Sequence, residues 1–220
     1  MPNEDFQPGQ PGKNVSQHTY EQVLALIETG DLLPGQILEE RALAARMNVS
    51  RTPMRATLSR LLGEGIISRL SNGLLVVREI GLEEYLQLIQ FRRLLEGDAA
   101  FHAATRIPPE QVHDLITEID SMEKAEMIDL ALHWQLDDRL HRLIGENCGN
   151  RWLANAIADV RRMARMCNVE KLPRRFKETC EEHRAILLSI EKRDGEAARE
   201  NMRKHIDQVR NGFMNLLSVG

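Results

Sequence analysis

The sequence predicts a mainly α protein in two parts: an N-terminal winged helix-turn-helix, made of three helices and a β-hairpin wing, followed by an all-α antiparallel helical bundle. Three observations lead there. Apolar residues recur at helical spacing through most of the 220 residues. Paired β-prone runs stand in one place, on either side of Ser71-Asn72-Gly73. Beyond Ile80 the periodic segments are divided by Pro, Gly or Asn and show no strand pattern. An aromatic content of only 4%, with frequent Leu, Ala, Arg, Glu and Met, favours helix over strand.

Residues 1–17 are rich in Pro, Gly, Asn and Gln, with too little apolar surface to offset the entropy of ordering, and are expected to form a loose, disordered tail. From Thr19, Tyr20, Val23, Leu24 and Ile27 make one stripe that ends at Gly30. Pro34 and Gly35 supply a break, and a short helix from about Glu39 to Met47 follows. Asn48 tolerates the left-handed conformation that the next turn needs. Ser50 is placed to cap a third helix, Pro53 falls harmlessly in its first turn, and Met54, Leu58, Leu61 and Leu62 form its buried face. The Asn-Gly pair then marks a hairpin. This first part is read as residues 18–79 and the bundle as 80–220, with helices at about 82–104, 108–124, 126–146, 150–169, 174–192 and 195–217.

Formal net charge is −4, but Arg41 to Glu79 holds seven arginines (41, 46, 51, 55, 60, 69, 78) against two acids (Glu64, Glu79), 7 − 2 = +5. The negative balance belongs to the rest of the chain. In a helix-turn-helix the second helix of the pair enters the major groove with its leading residues forward, here Ser50, Arg51, Thr52 and Arg55. Arginine grips a phosphate or the guanine edge, and hydroxyls at a helix start hold phosphates. Gly73, at the tip of the wing, is small enough to approach the minor groove or backbone. Arg60 lies further along and is read as a backbone or surface charge.

In the bundle, polar residues interrupt apolar stripes at four places. Asp137 and His141 share a face with Leu130, Trp134 and Ile144; His183 falls in line with Phe176, Cys180, Leu187 and Ile190; His205 lies between Met202 and Val209. Buried separately, each needs a polar partner. A shared divalent metal satisfies all of them, zinc first, with nickel, manganese or iron as alternatives. His133, one turn before Asp137, is a partly exposed substitute ligand in this reading. Arg92 also points inward, one turn before Glu96. It either pairs with Glu96 on the same helix or binds the carboxylate of a small-molecule effector.

The run "GDLLPGQILEERALAARMNVSRTPMRATLSRLLGEGIISRLSNGLLVV" resembles the DNA-binding domain of the GntR family of bacterial transcription regulators. The resemblance implies DNA contacts from Arg41, Ser50, Arg51, Thr52, Arg55 and Gly73. Asn48 stands where glycine is usual, and Ala56 where an acid is usual. The pieces "FRRLLEGDAAFHAA", "LDDRLHRLIGENCGN" and "EEHRAILLSIEKRDGEAARENMRKHI" resemble the FadR subfamily's helical ligand domain, in the variant called FCD. There an aspartate, a histidine one turn on and two later histidines hold a metal, mapping onto Asp137, His141, His183 and His205; Leu140 replaces a common phenylalanine.

The resemblance implies a homodimeric regulator, a repressor as most of the family are, on palindromic operator DNA. A small organic-acid or sugar-acid effector reaching the metal and Arg92 would control it. Two rivals use the same residues: a sensor in which metal alone is the signal, and a metalloenzyme, which needs an acid/base group the sequence does not reveal. The expectation is a regulator and not an enzyme. Three cysteines without CxxC spacing suggest no disulfide framework and point to a reducing cytoplasm. No export signal stands out, and no apolar run approaches the roughly 18 residues of a membrane span.

Overall fold

The computed structural model describes residues 11–125, 127, 130–166 and 175–219. The chain divides between Ile80 and Gly81 into two compact units.

In the first unit, helix α1 spans Pro11–Thr29, α2 Glu40–Arg46 and α3 Arg51–Gly63. Helix α1 begins earlier than its apolar stripe suggests, so residues 11–17 are helical and not a loose tail; residues 1–10 lie outside the described part. Contacts with α3 explain the difference. Thr57 Oγ1 donates to the Ser16 carbonyl at 3.5 Å, and Arg60 Nη1 donates to Gln17 Oε1 at 2.8 Å. A polar segment without an apolar stripe is thus held helical by tertiary contacts. Arg60 also lies 3.6 Å from the centroid of the Tyr20 ring and pairs with Glu64, so it fastens α1 to α3.

Asn48 adopts φ 53°, as the turn between α2 and α3 requires. Ser50 occupies the N-cap of α3 in extended conformation, but its side chain makes none of the capping hydrogen bonds expected of it. A capping hydroxyl accepts from the second or third helical N–H, and the third helical residue is Pro53, which has none, so one of the two usual donors is missing. The helix is held instead by burial of Met54, Leu58 and Leu61 where it packs on α1 and α2, whose Val23, Ile27 and Leu43 are buried as well, with Leu62 only half-buried.

Strands β1 (Ile67–Arg69) and β2 (Leu75–Val77) pair antiparallel in the register Ile67↔Val77, Ser68↔Val76, Arg69↔Leu75. Gly73 takes φ +86°, and Asn72 Oδ1 accepts from the Leu74 N–H at 3.1 Å, which closes the tip of the wing. A bridge between Ile37 and Val76 adds a third short edge that the Pro34-Gly35 break concealed.

In the second unit, α4 spans Leu82–Ala103, α5 Pro109–Glu123, α6 Leu130–Asn147, α7 Arg151–Met166, α8 Phe176–Glu191 and α9 Gly195–Val219. Helix α4 is the centre: it packs against α9, α7 and α6, while α8 packs against α9 and α5. Its buried face runs Tyr85, Ile89, Arg92, Glu96, Ala99, Ala103, a stripe of helical period with an ion pair in the middle. Gly97 lets α9 come close, since a methyl group there would meet the Arg203 side chain at 3.0 Å. No described helix is long and apolar enough to cross a membrane.

Candidate metal centre and nucleic-acid interface

Because α6 carries Asp137 and His141 one turn apart on its inner face, and α8 and α9 present His183 and His205 from the middle of theirs, the four side chains meet. Each offers one ligand atom within 4.8 Å of the others, and all four residues are buried. His141 Nε2 lies 3.6 Å and His183 Nε2 3.3 Å from Asp137 Oδ1. His141 Nε2 and both nitrogens of His183 are buried without a hydrogen-bond partner. Such orphaned nitrogens cost free energy, and a cation among them removes that cost.

The outer atoms of the cluster are held. Glu96 contacts His141 Nδ1, and Glu182 Oε2 lies 2.9 Å from His205 Nδ1, so both rings turn Nε2 away from their carboxylates. This is how carboxylates orient imidazole ligands towards a metal. Asp137 Oδ2 accepts from Arg161 Nη2 at 2.6 Å, leaving Oδ1 to the histidines. Arg161 also reaches Asp138, and Arg92 Nε donates to Glu96 Oε1 at 2.7 Å.

Electrostatics follow from this packing. Burial alone would raise the Asp137 carboxyl, but Arg161 and His141 outweigh it and hold it well below the usual carboxylate range. Glu96 behaves in the same way beside Arg92, His141 and Arg161. Burial lowers His183 to about 4 and also lowers His205. For His141, burial and Arg161 oppose protonation, yet Glu96 and Asp137 prevail and raise it. Two neutral imidazoles, a carboxylate and a third imidazole whose proton a bound cation would displace make a donor set of three nitrogens and one oxygen, which fits zinc, nickel, iron or manganese.

A cavity of about 320 Å³ opens beside this cluster between α6 and α7, lined by His141, Arg142, Arg161, Arg162, Arg165 and Asn155 among others. Four arginines against Asp138 and Glu146 give the wall a cationic excess, with Arg161 and Arg165 both paired to Asp138.

In the first unit, Arg41, Ser50, Arg51, Thr52, Arg55 and Gly73 are all exposed. Arg51, Thr52 and Arg55 line one shallow concavity together with Ala56 and Ser59 at the leading end of α3. Glu40, at the start of α2, accepts from Arg51 Nε at 2.8 Å and from Arg55 Nε at 3.2 Å.

Comparison with known proteins agrees with this geometry. The model of the FCD domain matches residues 87–208, and that of the bacterial regulatory proteins of the gntR family matches residues 15–77. The chain belongs to the GntR family of regulators that carry an FCD domain. It is similar to the HTH-type transcriptional repressor RspR of Escherichia coli, at 26% identity over 90% of this chain and 89% of that one. It is also similar to the Nta operon transcriptional regulator of Aminobacter aminovorans, at 29% identity over 80% of this chain and 85% of that one. E. coli McbR/YncC shares the fold with a TM-score of 0.77 at 19% identity, covering 92% of this chain and 98% of that one. As a GntR-family protein with an FCD domain, the chain is a DNA-binding transcriptional regulator with a ligand-binding helical domain.

Of the residues the sequence selects in the regulator's bundle, Asp137, His141, His183 and His205 come together, and His133 does not join them. His133 is buried, not partly exposed as expected: its ring packs edge-on against Trp134 and Phe176, with centroids at 5.4 and 5.1 Å. One turn before Asp137, it lies against aromatic neighbours and is lowered in pKa by burial. Arg92 is buried in the pair with Glu96. Sequence reading missed Glu96's contact with His141, and it missed Glu182, Arg161 and Glu40 altogether. For Arg161 a signal existed, because it interrupts the stripe of Ile157, Val160 and Ala164 as Arg92 interrupts that of α4.

Proposed function

We propose that this regulator is a homodimeric repressor that binds a palindromic operator and is controlled by a small organic-acid or sugar-acid effector bound at a divalent metal in the bundle. The observation that carries the reading is the set of orphaned imidazole nitrogens facing Asp137 Oδ1, next to a cavity walled by arginines. Asp137, His141, His183 and His205 would hold the ion; zinc suits three nitrogens and one oxygen, and nickel, iron and manganese take the same ligands. When bound, the ion supplies positive charge and open positions for carboxylate oxygens. Glu96 and Glu182 fix the rings of His141 and His205, and Arg161 fixes the second oxygen of Asp137.

An acidic effector entering the cavity meets Arg161 and His141, both on its wall, so we assign its first contact with protein to Arg161. Arg92, which does not line that cavity, supports Glu96 in this reading and reaches the effector only through it. In the first unit, Arg41, Ser50, Arg51, Thr52 and Arg55 would meet the major groove, and Gly73 the backbone beside it. One recognition helix reads a half-site, so two protomers on a palindrome give useful affinity. Effector binding shifts the population of bundle arrangements and with it the spacing of the two recognition helices.

The test is operator affinity measured with metal loaded or chelated, over a panel of small carboxylates. An acid that releases the operator only in the metal-loaded protein supports the proposal. A switch caused by metal alone would instead make metal the signal, and no metal uptake by the purified protein would remove the site.

A further inference from the structure

Glu40 has no place in the reading so far, yet it touches both arginines that the reading depends on. Its Oε1 lies 2.8 Å from Arg51 Nε and 3.3 Å from Arg55 Nη2, and its Oε2 lies 3.2 Å from Arg55 Nε. The two arginines extend past it to solvent, with side chains 54% and 66% exposed, while that of Glu40 is 25% exposed. Arg55 first, then Arg51, hold its carboxyl below the usual range, so it stays ionised at neutral pH.

The atoms used matter more than the charge. Arginine grips guanine O6 and N7 with two N–H groups on one edge of the guanidinium plane. Arg51 meets Glu40 through Nε alone, so neither of its Nη groups is taken up by that carboxylate. A four-bond side chain on a surface helix otherwise samples many rotamers, and ordering it at the interface costs entropy.

We infer that Glu40 is a positioning residue for DNA recognition, one carboxylate on α2 that holds Arg51 of α3 by Nε and Arg55 by Nε and Nη2, so that the guanidinium groups are preset for base reading. The inference rests on the assignment of α3 as the recognition helix. It carries a consequence that simple charge does not. Removing an acid from a DNA-binding surface should tighten every DNA, sequence-specific or not, through the phosphate term. Removing a positioning acid should instead separate the two, since the loosened arginines still find phosphates but lose their grip on bases.

The experiment uses the full chain: wild type, Glu40→Ala, Glu40→Gln and Arg51→Ala. The probes are the duplex that the wild type enriches from a random-sequence library and a scrambled duplex of the same composition, titrated by fluorescence anisotropy over a range of salt. Glu40→Ala should bind the scrambled duplex at least as tightly as wild type, while the ratio of specific to non-specific affinity falls about tenfold, the loss of one well-placed bidentate contact. Glu40→Gln, which keeps one accepting oxygen, should fall between. A ratio unchanged in Glu40→Ala overturns the inference, whatever the absolute affinities do. Arg51→Ala separates the two possible failures: if it leaves affinity for the enriched duplex intact, the recognition-helix assignment fails; if it weakens that affinity while Glu40→Ala keeps the ratio, only the role of Glu40 fails.

Discussion

Replacing Arg161 by methionine tests how charge is balanced inside the bundle. Arg161 is 5% exposed and donates to Asp137 Oδ2 at 2.6 Å and to Asp138 Oδ1 at 3.0 Å. Methionine fills similar space without the charge, so the metal-free variant holds Asp137 buried without its main cation. Breaking a buried pair in this way costs about 3–5 kcal/mol. For a unit of this size about 2–4 °C accompanies each kcal/mol, so the melting temperature in chelator should drop by about 6–20 °C. A divalent ion beside Asp137 Oδ1 replaces the missing charge, leaving only lost charge-assisted hydrogen bonds at about 1.5–3 kcal/mol. The assay is thermal denaturation of wild type and Arg161→Met, each with chelator and with zinc. A smaller loss in zinc than in chelator is expected; the same loss in both would refute the idea that metal and Arg161 share one carboxylate.

Other perturbations address the remaining parts. Arg51→Ala and Arg55→Ala should each weaken operator binding by about 1–3 kcal/mol where they reach bases, or lower the salt slope where they reach phosphates; gel shifts indistinguishable from wild type would discard the recognition helix. Asp137→Ala or His205→Ala should deplete bound metal, read by elemental analysis, while basal DNA binding persists. Glu182→Gln should weaken metal binding by about tenfold or more, because His205 loses the carboxylate that orients it; competition against a metal indicator dye measures this. In metal-free protein, His183 is lowered from the usual 6.5 to about 4, so it stays neutral when folded and takes a proton more readily when unfolded. Its contribution is complete above pH 6.5 and is lost as pH falls towards 4, about 3 kcal/mol in all. The raised His141 acts in the opposite sense and reduces the net effect. Urea titrations across that range should show the midpoint falling with acid, and a rising midpoint would contradict it.

Much of the architecture was legible because each element carries its own signal. Six bundle helices follow apolar stripes closed by Pro, Gly or Asn, and the wing follows from Asn72-Gly73. The metal ligands were legible for the same reason: Asp137 and His141 stand one turn apart, and His183 and His205 break stripes that are otherwise apolar. What supports them was not, since Glu96 meets His141 from 45 residues away, Arg161 meets Asp137 from 24 and Glu182 meets His205 from 23. Which of many acids and arginines become partners depends on helix packing, which no local pattern records. The start of α1 was hidden likewise, because Ser16 and Gln17 are held by α3 and not by a stripe of their own. Ser50 shows the reverse case, a capping signal whose side-chain hydrogen bond does not form, with Pro53 removing one of its two usual donors.

The central claim is that an acid acting through the metal cluster decides when the arginines of α3 may bind DNA. Its most direct measurement is operator affinity of wild type and Asp137→Ala across the carboxylate panel, with metal loaded and chelated. The account predicts at least one acid that shifts the affinity of metal-loaded wild type and of neither chelated wild type nor Asp137→Ala. An acid that acts equally in all three would contradict it.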